Sequence, residues 1–127
     1  MSSIVSVFNQ HFLEMFEDIQ NIFPNNADIL TAKNSILAFK KMNPVIIIRV
    51  WKKYIANVYN DQIENDDISF FIDKDYSNDL EYTKNPDAIM DVINRIRDPV
   101  RNMNHSDQVK TMKYIKNLTK LSLLYTQ

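Results

Sequence analysis

The sequence predicts an all-α protein: a compact single-domain bundle of five main helices plus one short helix, with an irregular acidic loop. Three observations carry that expectation. There is no glycine in 127 residues, which removes the residue that tight hairpin turns, left-handed helix caps and phosphate-cradling loops favour. Apolar residues recur at spacings of three and four along most of the chain, the period of one helix face. The corners fall at Asn, Asp and Pro, residues that start and stop helices.

The first helix is expected from Ile4 to Ile22, where Val5, Phe8, Phe12, Met15, Ile19 and Ile22 form a continuous stripe. Leu13, Phe16 and Phe23 widen it, which places this helix centrally. Pro24 stops it, because its ring disfavours helical geometry at the residue before. Asn25 or Asn26 caps a second helix reaching Met42, with Asp28 in its first turn suiting the helix dipole. Its inward residues are expected to be Ile29, Leu30, Ile36, Leu37 and Phe39. Asn43-Pro44 repeats the capping device before a third helix that carries Ile47, Val50, Trp51, Tyr54, Ile55 and Val58 inward. Ile46–Ile48 alone resembles a buried strand, but the helical spacing that follows decides against it.

Residues 60–84 read as irregular, with Asp66 or Asp67 capping a short turn at Ile68–Ile72 ahead of a polar run. Asn85-Pro86 then opens a helix presenting Ile89, Val92, Ile93 and Ile96, kinked or ended near Asp98-Pro99. Val100 and Met103 form its last turn or a separate one. Ser106 is the expected cap of the final helix, with Met112, Ile115, Leu118, Leu121 or Ser122, and Tyr125 inward. Lys110, Lys113, Lys116 and Lys120 fall largely on its other side.

Composition bounds the class. Apolar residues at 45% against 24% charged suit a folded domain rather than a disordered tail, and the length suits one domain spanning 1–127. With no cysteine, disulfides, thiolate metal sites and a thiol nucleophile are excluded. No leader-like segment opens the chain, and its longest apolar run, Val45 to Trp51, is broken by Arg49. An intracellular protein without a membrane span is the expectation.

The net charge of −1 hides segregation along the chain. Lys33, Lys40, Lys41, Arg49, Lys52 and Lys53 lie in one stretch without a single acid, whereas residues 61–81 hold eight acids and one base. From Tyr82 onward eight bases face four acids.

Four constellations invite a chemical reading. Asp73, Asp75, Ser77, Asp79 and Glu81 alternate like calcium-loop ligands, but Asn78 stands where the loop needs Gly and Lys84 where a bidentate Glu closes the cage. A solvated acidic loop fits better. Phe70, Phe71 and Tyr76 are interleaved with those acids, either anchoring the loop or forming, with Asp73 and Asp75, a strip that docks a protein partner. Lys40, Lys41, Arg49, Lys52 and Lys53 suggest phosphate contacts, although Trp51 shares its face with core residues and the pI is near 6.1. His11 and His105 are far apart and lack companion ligands. Glu14, Glu17 and Asp18 read as an exposed face, so neither catalysis nor a cofactor or metal is expected.

The stretch Lys40-Lys-Met-Asn-Pro44, Ile47-Ile48, Trp51-Lys-Lys-Tyr54 and Asp67-Ile-Ser-Phe-Phe-Ile-Asp-Lys-Asp-Tyr-Ser77, with Phe23-Pro-Asn-Asn-Ala-Asp-Ile-Leu30 upstream, resembles a group of small helical proteins. Large nucleocytoplasmic DNA viruses of the mimivirus and algal-virus kind encode them. The resemblance implies a setting, the host cytoplasm or the virion, and no activity to place on particular residues.

The expected function is therefore a non-catalytic interaction or assembly factor that binds a protein through Phe70, Phe71, Asp73, Asp75 and Tyr76. The alternative is a nucleic-acid-associated factor using Lys40, Lys41, Arg49, Lys52 and Lys53, together with the basic face of the last helix.

Overall fold

The computed structural model describes residues 3–72 and 86–126, without the side chains of Phe70, residues 86–91, Ile93 and Asn94. The described residues contain helices and no strand, packed as an all-α bundle: α1 (Ile4–Ile22), α2 (Ala27–Met42), α3 (Ile46–Val50), a π-helical turn (Trp51–Ala56), α4 (Asn57–Glu64), α5 (Ser69–Ile72), α6 (Pro86–Arg101) and α7 (His105–Leu124). α3, the π turn and α4 follow one another without an intervening loop. They make one long rod, so the bundle has five main helices and one short one.

Side-chain caps set the beginnings of α1, α2 and α7. Ser3 accepts from the Ser6 amide ahead of α1, and Asn26 accepts from the amides of Asp28 and Ile29 ahead of α2. Each satisfies donors that the first turn cannot pair internally. At α7 the cap is Asn104, not Ser106: its carboxamide oxygen takes the Asp107 amide at 2.8 Å, which starts the helix at His105. Asp67 caps α5 by accepting from the Ser69 amide at 3.1 Å. Just before it, Asp66 adopts φ 58°. A short polar side chain tolerates this left-handed geometry better than most, and here it does the work a glycine would do.

α1 is central, packing against α2, α3 and α7. Phe8, Phe12, Met15, Phe16 and Ile19 are buried as the stripe requires, while Ile22 at its end is exposed. Phe12 stacks on Phe16 and meets Trp51 edge-on, with ring centroids 5.3 and 5.7 Å apart, geometries that suit aromatic quadrupoles. Trp51 is 6% exposed, and its indole N–H donates to Thr119 on α7 at 3.0 Å within the core.

The rod corrects two expectations. Helix continues to Glu64, so the irregular segment begins later than residue 60. Val58, expected inside, is 52% exposed, and Ile48, Ala56 and Tyr59 are buried instead. Trp51, Ile55, Tyr59 and Ile63 lie four residues apart, and such steps overshoot a 3.6-residue turn by about 40° each. The wider π turn and the departure from helical angles at Tyr59 (φ −114°, ψ 23°) bring these residues back toward one face.

On α2, Ile29, Ala32 and Ile36 are buried, but Leu30 and Leu37 are exposed, contrary to expectation. α6 passes through Pro99 to Arg101 without ending at Asp98. Buried Val100 and Met103 hold that last turn in the core, and Gln108 donates to the Val100 and Arg101 carbonyls that close the helix. Val92 and Ile96 are buried as expected, while Ile89, Ile93 and the capping Asn85 lie outside what is described.

Candidate functional site

The acidic-aromatic strip divides at the edge of the described residues. Asp73, Asp75 and Tyr76 lie outside them, as does the side chain of Phe70. Phe71 is 3% exposed and packs in the core. A ring so buried is not available to a partner, which corrects its assignment as a docking residue. It anchors α5 to the bundle, a burial contributing about 1.5–3 kcal/mol.

The basic residues are spread over three elements: Lys40 and Lys41 in the last turn of α2, Arg49 in α3, and Lys52 and Lys53 in the π turn, with Lys40 lining a groove beside Glu14 and Glu17 of α1. Lys40, Lys41 and Arg49 are exposed, and among the described residues no acid pairs with them. Lys53 is exposed beside the Tyr54 ring, with its ammonium 5.4 Å from the centroid. Lys52 points elsewhere and donates to the Tyr125 carbonyl at 2.5 Å, tying the π turn to the end of α7. Four of the five cations thus remain at the surface. Trp51, the ring best suited to stack a base, is committed to the core.

Local hydrogen bonds fix the corner where α2 turns into α3. Asn43 accepts from the Val45 amide at 3.3 Å, and the Ile46 amide bonds back to the Asn43 carbonyl at 3.1 Å. From α1, the buried Asn9 donates its side-chain N–H to the Pro44 carbonyl at 2.8 Å. This buried polar residue inside an apolar stripe was not anticipated from the sequence. Its position makes sense because the Pro44 carbonyl, at a corner, needs a donor from outside its own segment.

Met42 stands at that corner, 77% exposed, the most exposed large apolar side chain among the described residues. It follows Lys40 and Lys41 directly. A signal existed in the sequence, since a methionine between a lysine pair and Asn-Pro falls at a helix end, where no neighbouring turn covers it.

Behind the corner is an apolar pocket of about 60 Å³. Phe12, Trp51 and Phe71 form part of its wall, and the half-buried Phe39, Ile46 and Val50 form its rim. On α1's other side, the Tyr114 hydroxyl donates to the Asp18 carboxylate, and the His11 ring lies 4.8 Å from the Tyr114 ring. Burial first, then the bond to Asp18 and the charges of Asp18, Glu14 and Glu17, push the Tyr114 phenol up to about 12. The Glu14, Glu17 and Asp18 face thus has one member, Asp18, in a structural bond.

Among the described residues, no three His, Asp or Glu side chains converge as a metal site, and no helix is long and apolar enough to cross a membrane. Comparison of the chain with protein-family models, curated proteins and solved structures gives no match.

Proposed function

We propose that this domain is a non-catalytic interaction module, an assembly factor that holds an acidic protein partner against the corner between α2 and α3. The observation that carries this reading is Met42, exposed at 77% in a stretch of chain with six bases and no acid. An exposed apolar side chain directly after two exposed lysines, Lys40 and Lys41, favours a partner segment that mixes apolar side chains with carboxylates. The apolar contact contributes affinity, while the charges steer encounter and select the partner. Because Asn9 and Asn43 already fix the corner, binding there has little ordering to do. The setting, the host cell of a large DNA virus, rests on the sequence resemblance alone.

The test is co-purification from the cells that naturally make the chain, after nuclease treatment and a high-salt wash. The native chain is expected to retain a stoichiometric protein that the Lys40→Glu/Lys41→Glu variant loses at unchanged melting temperature. Retention of DNA or RNA instead, falling steeply with salt, would replace this reading with nucleic-acid binding through Lys40, Lys41, Arg49 and Lys53.

A further inference from the structure

α2 leaves Leu30, Leu37 and Met42 at the surface. Two of these are inert hydrocarbon, and the third carries a thioether that a hydroperoxide oxidises. The described methionines divide sharply by access. Met15, Met103 and Met112 are 1%, 7% and 3% exposed, against 77% for Met42. The Met103 sulfur also lies 3.4 Å from the Thr111 hydroxyl. A buried thioether is reached only when the core opens, whereas Met42 meets solvent in the folded chain.

The fold around Met42 does not depend on its side chain. Met42 is the last residue of α2. The corner after it is held by Asn43, which accepts from the Val45 amide, and by Asn9, which donates to the Pro44 carbonyl. Met42 belongs neither to the buried core nor to the half-buried residues packed against it. An oxygen added to its sulfur therefore changes the surface and leaves the packing intact. The same oxygen on Met15 would set a polar group inside the core, where an unpaired one is costly.

We propose that Met42 is a reversible oxidation site whose sulfoxide releases the partner held at the corner. A hydroperoxide transfers one oxygen to the sulfur. The O–O bond breaks, the S–O bond forms, sulfur gives up two electrons, and the hydroperoxide leaves as water or an alcohol. A methionine sulfoxide reductase reverses the step with a dithiol, which becomes a disulfide as the oxygen leaves in water. The sulfoxide is polar where the thioether is apolar, so the apolar contact is lost while Lys40 and Lys41 keep their charges. Release of the partner rests on the interaction reading above; the oxidation site does not.

Hydrogen peroxide on the folded whole chain, followed by digestion and mass spectrometry, tests the site. Met42 is expected to gain one oxygen about tenfold or more faster than Met15, Met103 and Met112, and the four rates converge in denaturant. Equal rates in the folded chain, or a Met42 rate that rises on unfolding as much as theirs, overturn the site. For the release step, the chain is oxidised and freed of peroxide before it meets lysate of the cells that make it. It is expected to keep its melting temperature, to retain about tenfold less partner, and to recover it once a methionine sulfoxide reductase removes the oxygen from Met42. Met42→Leu, treated alike, keeps the partner; should that variant bind poorly from the outset, recovery with the reductase decides. Unchanged capture by the oxidised native chain, or equal loss from Met42→Leu, overturns the release. Capture of no protein by the unoxidised chain overturns the interaction reading and the release with it, while the oxidation rates still decide the site.

Discussion

α1 and α2 are neighbours in sequence and in space, yet they place their apolar residues differently. α1 turns Phe8, Phe12, Met15, Phe16 and Ile19 into one aromatic-rich seam shared with Trp51 and α7. α2 buries Ile29, Ala32 and Ile36, and leaves Leu30, Leu37 and Met42 at the surface. The lesson is a division of labour. The buried aromatic rings gather where α1, the π turn and α7 meet, while among the described residues the outer side of α2 and the corner after it keep apolar side chains exposed.

The largest effect that could break this comparison belongs to the seam. Phe16→Ala is expected to cost about 3–5 kcal/mol in denaturant unfolding, because a fully buried ring leaves a cavity the neighbours cannot close. A loss near that of a surface substitution would place the core elsewhere. Next comes Trp51→Phe, which strands the buried Thr119 hydroxyl and is expected to cost about 1–3 kcal/mol. Thr119→Val in that background should recover part of the loss.

A pH dependence sharpens the seam further. The Tyr114 phenol is held at about 12, above its ordinary 10.0, so the folded chain keeps this proton more tightly than the unfolded chain. The stabilisation is complete below pH 10 and is lost as pH rises toward 12. The stability difference between native chain and Tyr114→Phe should therefore shrink across that interval, and a flat difference would contradict the Asp18 bond. The smallest effect lies on the other region: Leu37→Ala is expected within about 0.5 kcal/mol of the native chain. A cost of the size seen at Phe16 would show that α2's outer side is covered within the fold.

Helix boundaries were legible where one signal stood alone. Pro24 closes α1 and Asn43-Pro44 closes α2, so both helices end where the sequence places their ends, at Ile22 and Met42. Where two signals competed, the sequence could not arbitrate. Asn104 and Ser106 are both good caps, and Asn104 prevails because its side chain reaches the Asp107 amide. Ile29-Leu30 and Ile36-Leu37 are adjacent apolar pairs. Periodicity says that one member of each faces inward without saying which, and the α2 contacts with α1 and α6 choose the isoleucines. Val58 was misplaced for another reason. An ideal helical period assumes a constant turn, and the π turn ahead of it rotates everything that follows.

The candidate site was less legible. The six-base stretch was visible as charge, but the bond by which Asn9, thirty-five residues away, fixes the corner at Pro44 is a tertiary property. Phe71 looked as ready to dock a partner as to fill a core, and only packing separates those uses.

Cross-linking from two equally synthetic positions tests the central claim most directly. A photo-reactive residue in place of Met42, and separately in place of Val58, is carried by the native fold in the cells that make it. The account predicts one discrete protein adduct from position 42, lost on adding Lys40→Glu, and none from position 58. An adduct from position 58 alone, or one at 42 indifferent to that charge reversal, would contradict it.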